Sequence, residues 1–195
     1  LRRADEQQAQ RPSVAAVLSQ EFFPLLPPAA HQELLVRGGS AGRLIVVLTS
    51  DEGLCGPLHA STVNRAMDYA DSSTQWIVVG QRALRFLSVP KERLRVMPMP
   101  AEEEAQRQMQ RLARAVLAQF TLEQLRDVWL AAPRYLSATR QTVTVQPLLP
   151  LPIGPSSAGM PRTDLVIEPS LSQAVEALAA LWVETVCVES FWSAR

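Results

Sequence analysis

The sequence predicts an α/β domain: a mixed, mostly parallel sheet covered by helices on both faces and flanked by two terminal helices. Three observations predict it. Leu44-Ile-Val-Val-Leu-Thr49 is a continuous, β-branched apolar run, the pattern of a strand covered on both faces. Trp76-Ile-Val-Val79 repeats that pattern after a stretch of helical spacing, as in a strand–helix–strand unit. At 195 residues and 47% apolar, the chain can bury one good core, so a single domain with attached elements is expected.

Taken in order, residues 1–22 read as a helix. Arg2, Arg3, Asp5 and Glu6 are exposed, and Val14, Val17 and Leu18 mark an apolar face. Pro12 kinks it or divides it in two. No capping residue precedes Leu1, and the helix is expected to start before the sequence does. Pro24, Pro27 and Pro28 end it and open an irregular segment to about Gly42. After the first strand, Ser50-Asp-Glu-Gly-Leu-Cys-Gly56 forms a tight loop. Pro57 then stands at a first helical position, and Val63, Ala66, Met67 and Ala70 keep helical spacing.

The second strand leads to a short helix through Ala83, Leu84 and Leu87, and residues 93–97 read as a third strand. Residues 101–120 are the clearest helix. Glu102, Glu103 and Glu104 sit at its start, where the dipole favours anions, and Ala105, Met109, Leu112, Val116 and Phe120 form its buried stripe. Residues 127–136 and 141–149 read as an antiparallel hairpin joined by four residues. A Pro-, Gly- and Ser-rich loop at 150–161 precedes a short strand at 164–167.

Residues 171–195 form the last helix, opened by Ser170 and Gln173 in capping-box spacing. Its apolar residues, among them Val175, Leu178, Leu181, Trp182, Val186 and Phe191, lie on more than one face. Such a helix has to be buried on several sides, by its own domain or by partners. It too is expected to run past the end of the sequence, and two open-ended helices would pair outside the domain. The expected organisation is therefore a helix at 1–23, a Rossmann-like three-layer body at 24–169 and a helix at 170–195.

Lys+Arg 19 balances Asp+Glu 19, which removes the usual argument for nucleic acid or an anionic membrane surface. Basic residues are almost all arginine, Lys91 being the only lysine. Cys55 and Cys187 stand apart from each other and from any histidine cluster, so neither a disulfide framework nor a zinc site is expected. Residues 1–20 lack a signal-peptide pattern. The apolar stretch 177–188 contains Glu184 and is flanked by Glu176 and Glu189, so a soluble chain with no membrane insertion is expected.

Several residues invite a chemical reading. Cys55 sits on a strand-to-helix turn with His59 four residues on, the arrangement of a nucleophile with its base. No third group stands out to orient the imidazole. Gly38-Gly-Ser-Ala-Gly42 resembles a phosphate loop but precedes its strand, and flexible turn glycines are the simpler reading. Asp51 and Glu52 could hold a divalent cation; a turn-capping Asp51 and a solvated Glu52 explain them better. His31 lies in a proline-bounded loop with no neighbouring ligands. Trp182 and Trp192 read as core or interface anchors.

The run from Leu44 through Ser50-Asp-Glu-Gly-Leu-Cys-Gly56 resembles the gamma subunit of F-type ATP synthases. In that family a buried strand enters S-D-basic-G-L-C-G. Further tags follow in the same order: Leu1-Arg-Arg-Ala4, Ile77-Val-Val-Gly80, Gln146-Pro-Leu-Leu-Pro-Leu151, Glu168-Pro-Ser170 and Glu189-Ser-Phe191. Glu52, Pro57 and His59 depart from the family pattern, which marks a divergent branch. The distal parts of both terminal helices, which form an antiparallel coiled coil in the family, are not in the sequence.

The resemblance implies a non-catalytic central-stalk rotor with no cofactor. Its coiled coil turns inside the ring of alpha and beta subunits, and catalysis lies in beta. Its body contacts the epsilon subunit and the membrane c-ring at the cytoplasmic face of a bacterial inner membrane, so that proton or sodium flow becomes rotation. The subunit contacts it implies are Asp51, Glu52, Gly53, Leu54, Cys55 and Gly56 in the loop, with Trp182, Glu189 and Phe191 on the last helix. The alternative drawn from the residues is a hydrolase using Cys55 with His59. A nucleotide-binding module ranks last.

Overall fold

The computed structural model describes residues 13–51, 57–137, 140–153 and 167–194. Expectations for residues 1–12, the loop residues Glu52, Gly53, Leu54, Cys55 and Gly56, and the strand at 164–166 fall outside them. Among the described residues one sheet has the order β3-β2-β1-β4-β5. Its strands are β1 (Ala41–Leu48), β2 (Gln75–Val79), β3 (Leu94–Met97), β4 (Leu125–Ser137) and β5 (Arg140–Leu149). β1 pairs in parallel with β2 on one side and β4 on the other, Val46 lying opposite both Ile77 and Leu130. β3 continues the parallel run, and β5 closes the sheet antiparallel to β4.

The central position of β1 follows from its composition. Leu44, Ile45, Val46, Val47 and Leu48 are all 0% exposed, and a strand with no polar face has to be covered above and below. Alternate residues divide between two cores. Leu44, Val46 and Leu48 join Ile77 and Val79 beneath helices α4 (Glu102–Leu122) and α5 (Leu171–Ser193). Ile45 and Val47 join Trp76 and Val78 against Val63 and Ala66 of α3 (Leu58–Met67) on the opposite face. The predicted three-layer body is therefore present.

Helix α4 buries the predicted stripe of Ala105, Met109, Leu112, Val116 and Phe120, with Glu102, Glu103 and Glu104 in its first turn. Helix α5 starts at Ser170, whose Oγ accepts from the Gln173 amide at 3.3 Å. The Ser170 hydroxyl in turn lies 3.2 Å from Gln173 Oε1, so the Gln173 side chain meets the capping hydroxyl. By length and composition α5 is apolar enough to cross a bilayer, with a mean hydropathy of 1.4, yet one side of it packs on β4, β5 and α4.

Several expectations need correction. Ser13 is an N-cap in extended conformation, accepting from the Ala16 amide at 3.0 Å, so α1 (Val14–Val17) starts there. It passes into a wider π-type turn at Leu18–Phe22 and a 3₁₀ turn at Phe23–Leu25. Val14 is 57% exposed, and Ala15 and Leu18 form the buried face. The start at Ser13 accords with the expected division at Pro12, and Leu18 is buried as expected, while Ala15 takes the place of Val14 on that face. Met67, expected inside, is 42% exposed at the end of α3. The helix predicted at 83–87 is a 3₁₀ turn, Gln81–Arg85, with Leu84 exposed. The hairpin strands pair as far as Ser137 opposite Arg140, which is a shorter connection than four residues. Ile167 is not in a strand. The segment ahead of β1 contains a single α-helical turn, α2 (Leu34–Arg37).

At the start of the central strands the packing carries charge. Arg43 on β1 lies opposite Asp127 on β4 and meets its carboxylate with two bonds of 2.5 and 2.7 Å. The same guanidinium donates to the Tyr69 carbonyl and lies 5.6 Å from the Trp129 ring centroid, which also contacts Tyr69. Arg126 bridges Asp127 and Asp71 at 3.1 and 2.7 Å. Burial pushes the Asp127 carboxyl up, but hydrogen bonds from Arg43 and then Arg126 outweigh it and leave its pKa lowered. Asp71 is held well below the carboxylate range, first by the Ser73 hydroxyl and then by Arg126.

Two outcomes are expected. Arg43→Ala removes two bonds from Asp127, whose side chain is 16% exposed, and leaves it Arg126 alone, so the unfolding free energy should fall by about 2 kcal/mol. Arg65→Ala removes only an exposed contact to Asp68, and should change it by less than about 0.5 kcal/mol. Urea denaturation of both variants checks the contrast. Because Asp127 has a lowered folded pKa, its contribution is present above its unfolded value near 3.8. It is lost as pH falls through the folded value. Acid titration of stability should therefore show a loss below about pH 4 that is shallower in Asp127→Asn.

Candidate functional site

The sequence places its candidates in two regions, the exit of β1 and the terminal helices. At the exit of β1, Thr49 donates its amide to the Val79 carbonyl at 2.8 Å, and its hydroxyl reaches the Val79 and Gly80 carbonyls. Gly80 has φ +95°, and a Cβ there would come within 2.8 Å of Thr49 Oγ1 and 2.9 Å of the Thr49 carbonyl carbon. Only glycine lets β2 leave the sheet this close to β1.

Asp51 extends the same junction. Its carboxylate accepts the Gln81 amide at 2.6 Å and the Met99 amide at 3.0 Å. Its carbonyl accepts Arg82 Nε at 3.0 Å. The sequence reading has Asp51 capping its own loop. Instead it spans the ends of β1, β2 and β3, and both carboxylate oxygens are engaged by backbone amides. Among the described residues no group of three or more His, Cys, Asp or Glu side chains is placed to hold a metal. Gln81, Arg82 and Met99 were missed by the sequence reading; the Gly80-Gln-Arg step after the second strand was the available signal.

The nucleophile pair is described on one side only, since Cys55 lies outside the described residues. His59 is 6% exposed on α3, with Nε2 3.3 Å from Ser50 Oγ. Cys187, the other thiol, is fully buried in α5. Burial first, and the nearby Glu184 second, push its pKa up to about 12, which makes it a packing residue. His31 is exposed in the 3₁₀ turn Pro28–Gln32.

The glycine-rich run at 38–42 serves close packing, and turn flexibility is a secondary feature. Gly39 donates to the Leu125 carbonyl at 2.8 Å, and a Cβ on it would overlap the Gln124 carbonyl oxygen at 1.9 Å. It lets the chain enter β1 against the start of β4.

The terminal helices meet directly. Glu189 on α5 accepts the Ala15 amide at 3.3 Å, placing a carboxylate at the N-terminus of α1 where the helix dipole favours it. Trp182 donates Nε1 to the Leu148 carbonyl at 2.9 Å and sets its ring edge-on to Phe23, centroids 5.4 Å apart. It thereby pins α5 to β5 and to the turn after α1. Trp182 and Phe191, expected at a subunit contact, are buried within the chain itself at 6% and 0% exposure. Trp192, held edge-on by Phe191 at 5.2 Å, is the exposed aromatic at 49%. Between α1, α5 and the hairpin runs a groove of about 350 Å³, lined by Ser13, Ala15, Ser19, Arg134, Glu189 and Ser190. Small side chains on both helices allow them to lie close.

The family model described as ATP synthase matches residues 1–194. The ATP synthase gamma chain of Gemmatimonas aurantiaca is 26% identical over 93% of this chain and 66% of its own length. That of Burkholderia ambifaria is 25% identical over 84% of this chain and 60% of its own length. The chain thus spans less than two thirds of the curated relatives it matches. Among solved structures, a chain of the Tetrahymena thermophila mitochondrial ATP synthase central stalk and c-ring has a TM-score of 0.67. It is 18% identical over 98% of this chain and 85% of that one, a likeness of fold. With its residues matched from one end to the other and its curated relatives gamma chains, this chain belongs to the ATP synthase family.

Proposed function

We propose that the chain is a gamma-type rotor subunit, coupling ion flow across a membrane to ATP synthesis or hydrolysis by rotation within an alpha–beta catalytic head. The observation that carries the reading is the fastening of α5 to α1 by Glu189 on Ala15 and to the sheet by Trp182 on Leu148, within a chain matched to the family along its length. A shaft whose two strands are fixed to each other and to a three-layer foot can transmit torque. The work asked of it is stiffness, which a close-packed core supplies.

In this reading the body at 24–169 is the foot and the helices at 1–23 and 170–195 begin the shaft. Alpha, beta and epsilon subunits and a c-ring are its partners, at the cytoplasmic face of a bacterial inner membrane, and catalysis belongs to beta. The subunit contacts of this reading are residues 51–56 with Trp182, Glu189 and Phe191.

Replacing the native subunit by one lacking this chain should abolish ATP-driven ion transport into membrane vesicles while alpha and beta still bind nucleotide. Transport that persists would defeat the rotor reading. Asp51→Ala leaves the Gln81 and Met99 amides without their acceptor, at a cost of about 1–3 kcal/mol. Its unfolding midpoint in urea should fall, and its co-purification with alpha and beta should weaken. Cys55→Ala should leave both measurements unchanged; loss of a hydrolytic activity on that substitution would restore the nucleophile alternative.

A further inference from the structure

We draw no further inference here: the strongest candidate, the groove of about 420 Å³ between α4 and the edge strand β3, is lined by Arg93 and Arg95 but equally by Glu92 and Glu123, so its charge selects no partner and nothing in the structure shows what covers it.

Discussion

Everything in the molecule is arranged around the fact that β1 has no polar face. Five consecutive side chains, Leu44 to Leu48, are fully buried, so the strand needs a neighbour on each edge and a helical layer above and below. That one requirement sets the sheet order, the division into two cores and the positions of α3, α4 and α5. It also concentrates polar chemistry at the two ends of β1, where backbone and charge can reach partners without entering the cores. Arg43 and Asp127 close one end; Thr49, Asp51 and Gly80 close the other.

The two closures differ in kind. At the start of the strands the fastening is ionic and shared: Arg43, Asp127, Arg126 and Asp71 form a chain in which each carboxylate is held ionised by its neighbours. The displaced carboxylate pKa values belong to this fastening and serve cohesion between β1, β4 and the turn after α3. At the exit the fastening is a carboxylate on backbone amides, so it defines geometry more than it adds charge pairing. Asp51 is thereby fixed to the ends of three strands.

The fold was legible because burial dictates pattern. The unbroken runs at 44–49 and 76–79, the stripe of α4 and the alternation of β5 each report how many sides of an element are covered. What stayed hidden depends on partners distant in sequence. Nothing local says that Asp51 reaches Gln81 and Met99, or that Gly39 is needed because the Gln124 carbonyl lies against it. On α1 the expected Leu18 is buried, but Ala15 and not Val14 shares its face, a choice that the tertiary contact with α5 decides. The candidate site was legible in part. The loop tag lies outside the described residues, and of the two tryptophans read as core or interface anchors Trp182 turns inward and Trp192 outward, which residue type alone cannot tell.

The inward turn of Trp182 shows the governing property of α5. A helix apolar nearly all round has more apolar surface than one packed side can cover, and here one side is buried within the chain. Its inner residues, anchored by the Trp182 bond to Leu148, bury against the sheet and leave Cys187 so thoroughly desolvated that its thiol resists ionisation. Its outer side leaves Leu181 and Trp192 about half exposed. A surface of this kind disfavours the isolated chain, since exposed leucine and tryptophan gain nothing from water. A polar replacement at Leu181 would relieve part of that exposure, whereas one at Trp192 would also break its edge-on contact with Phe191.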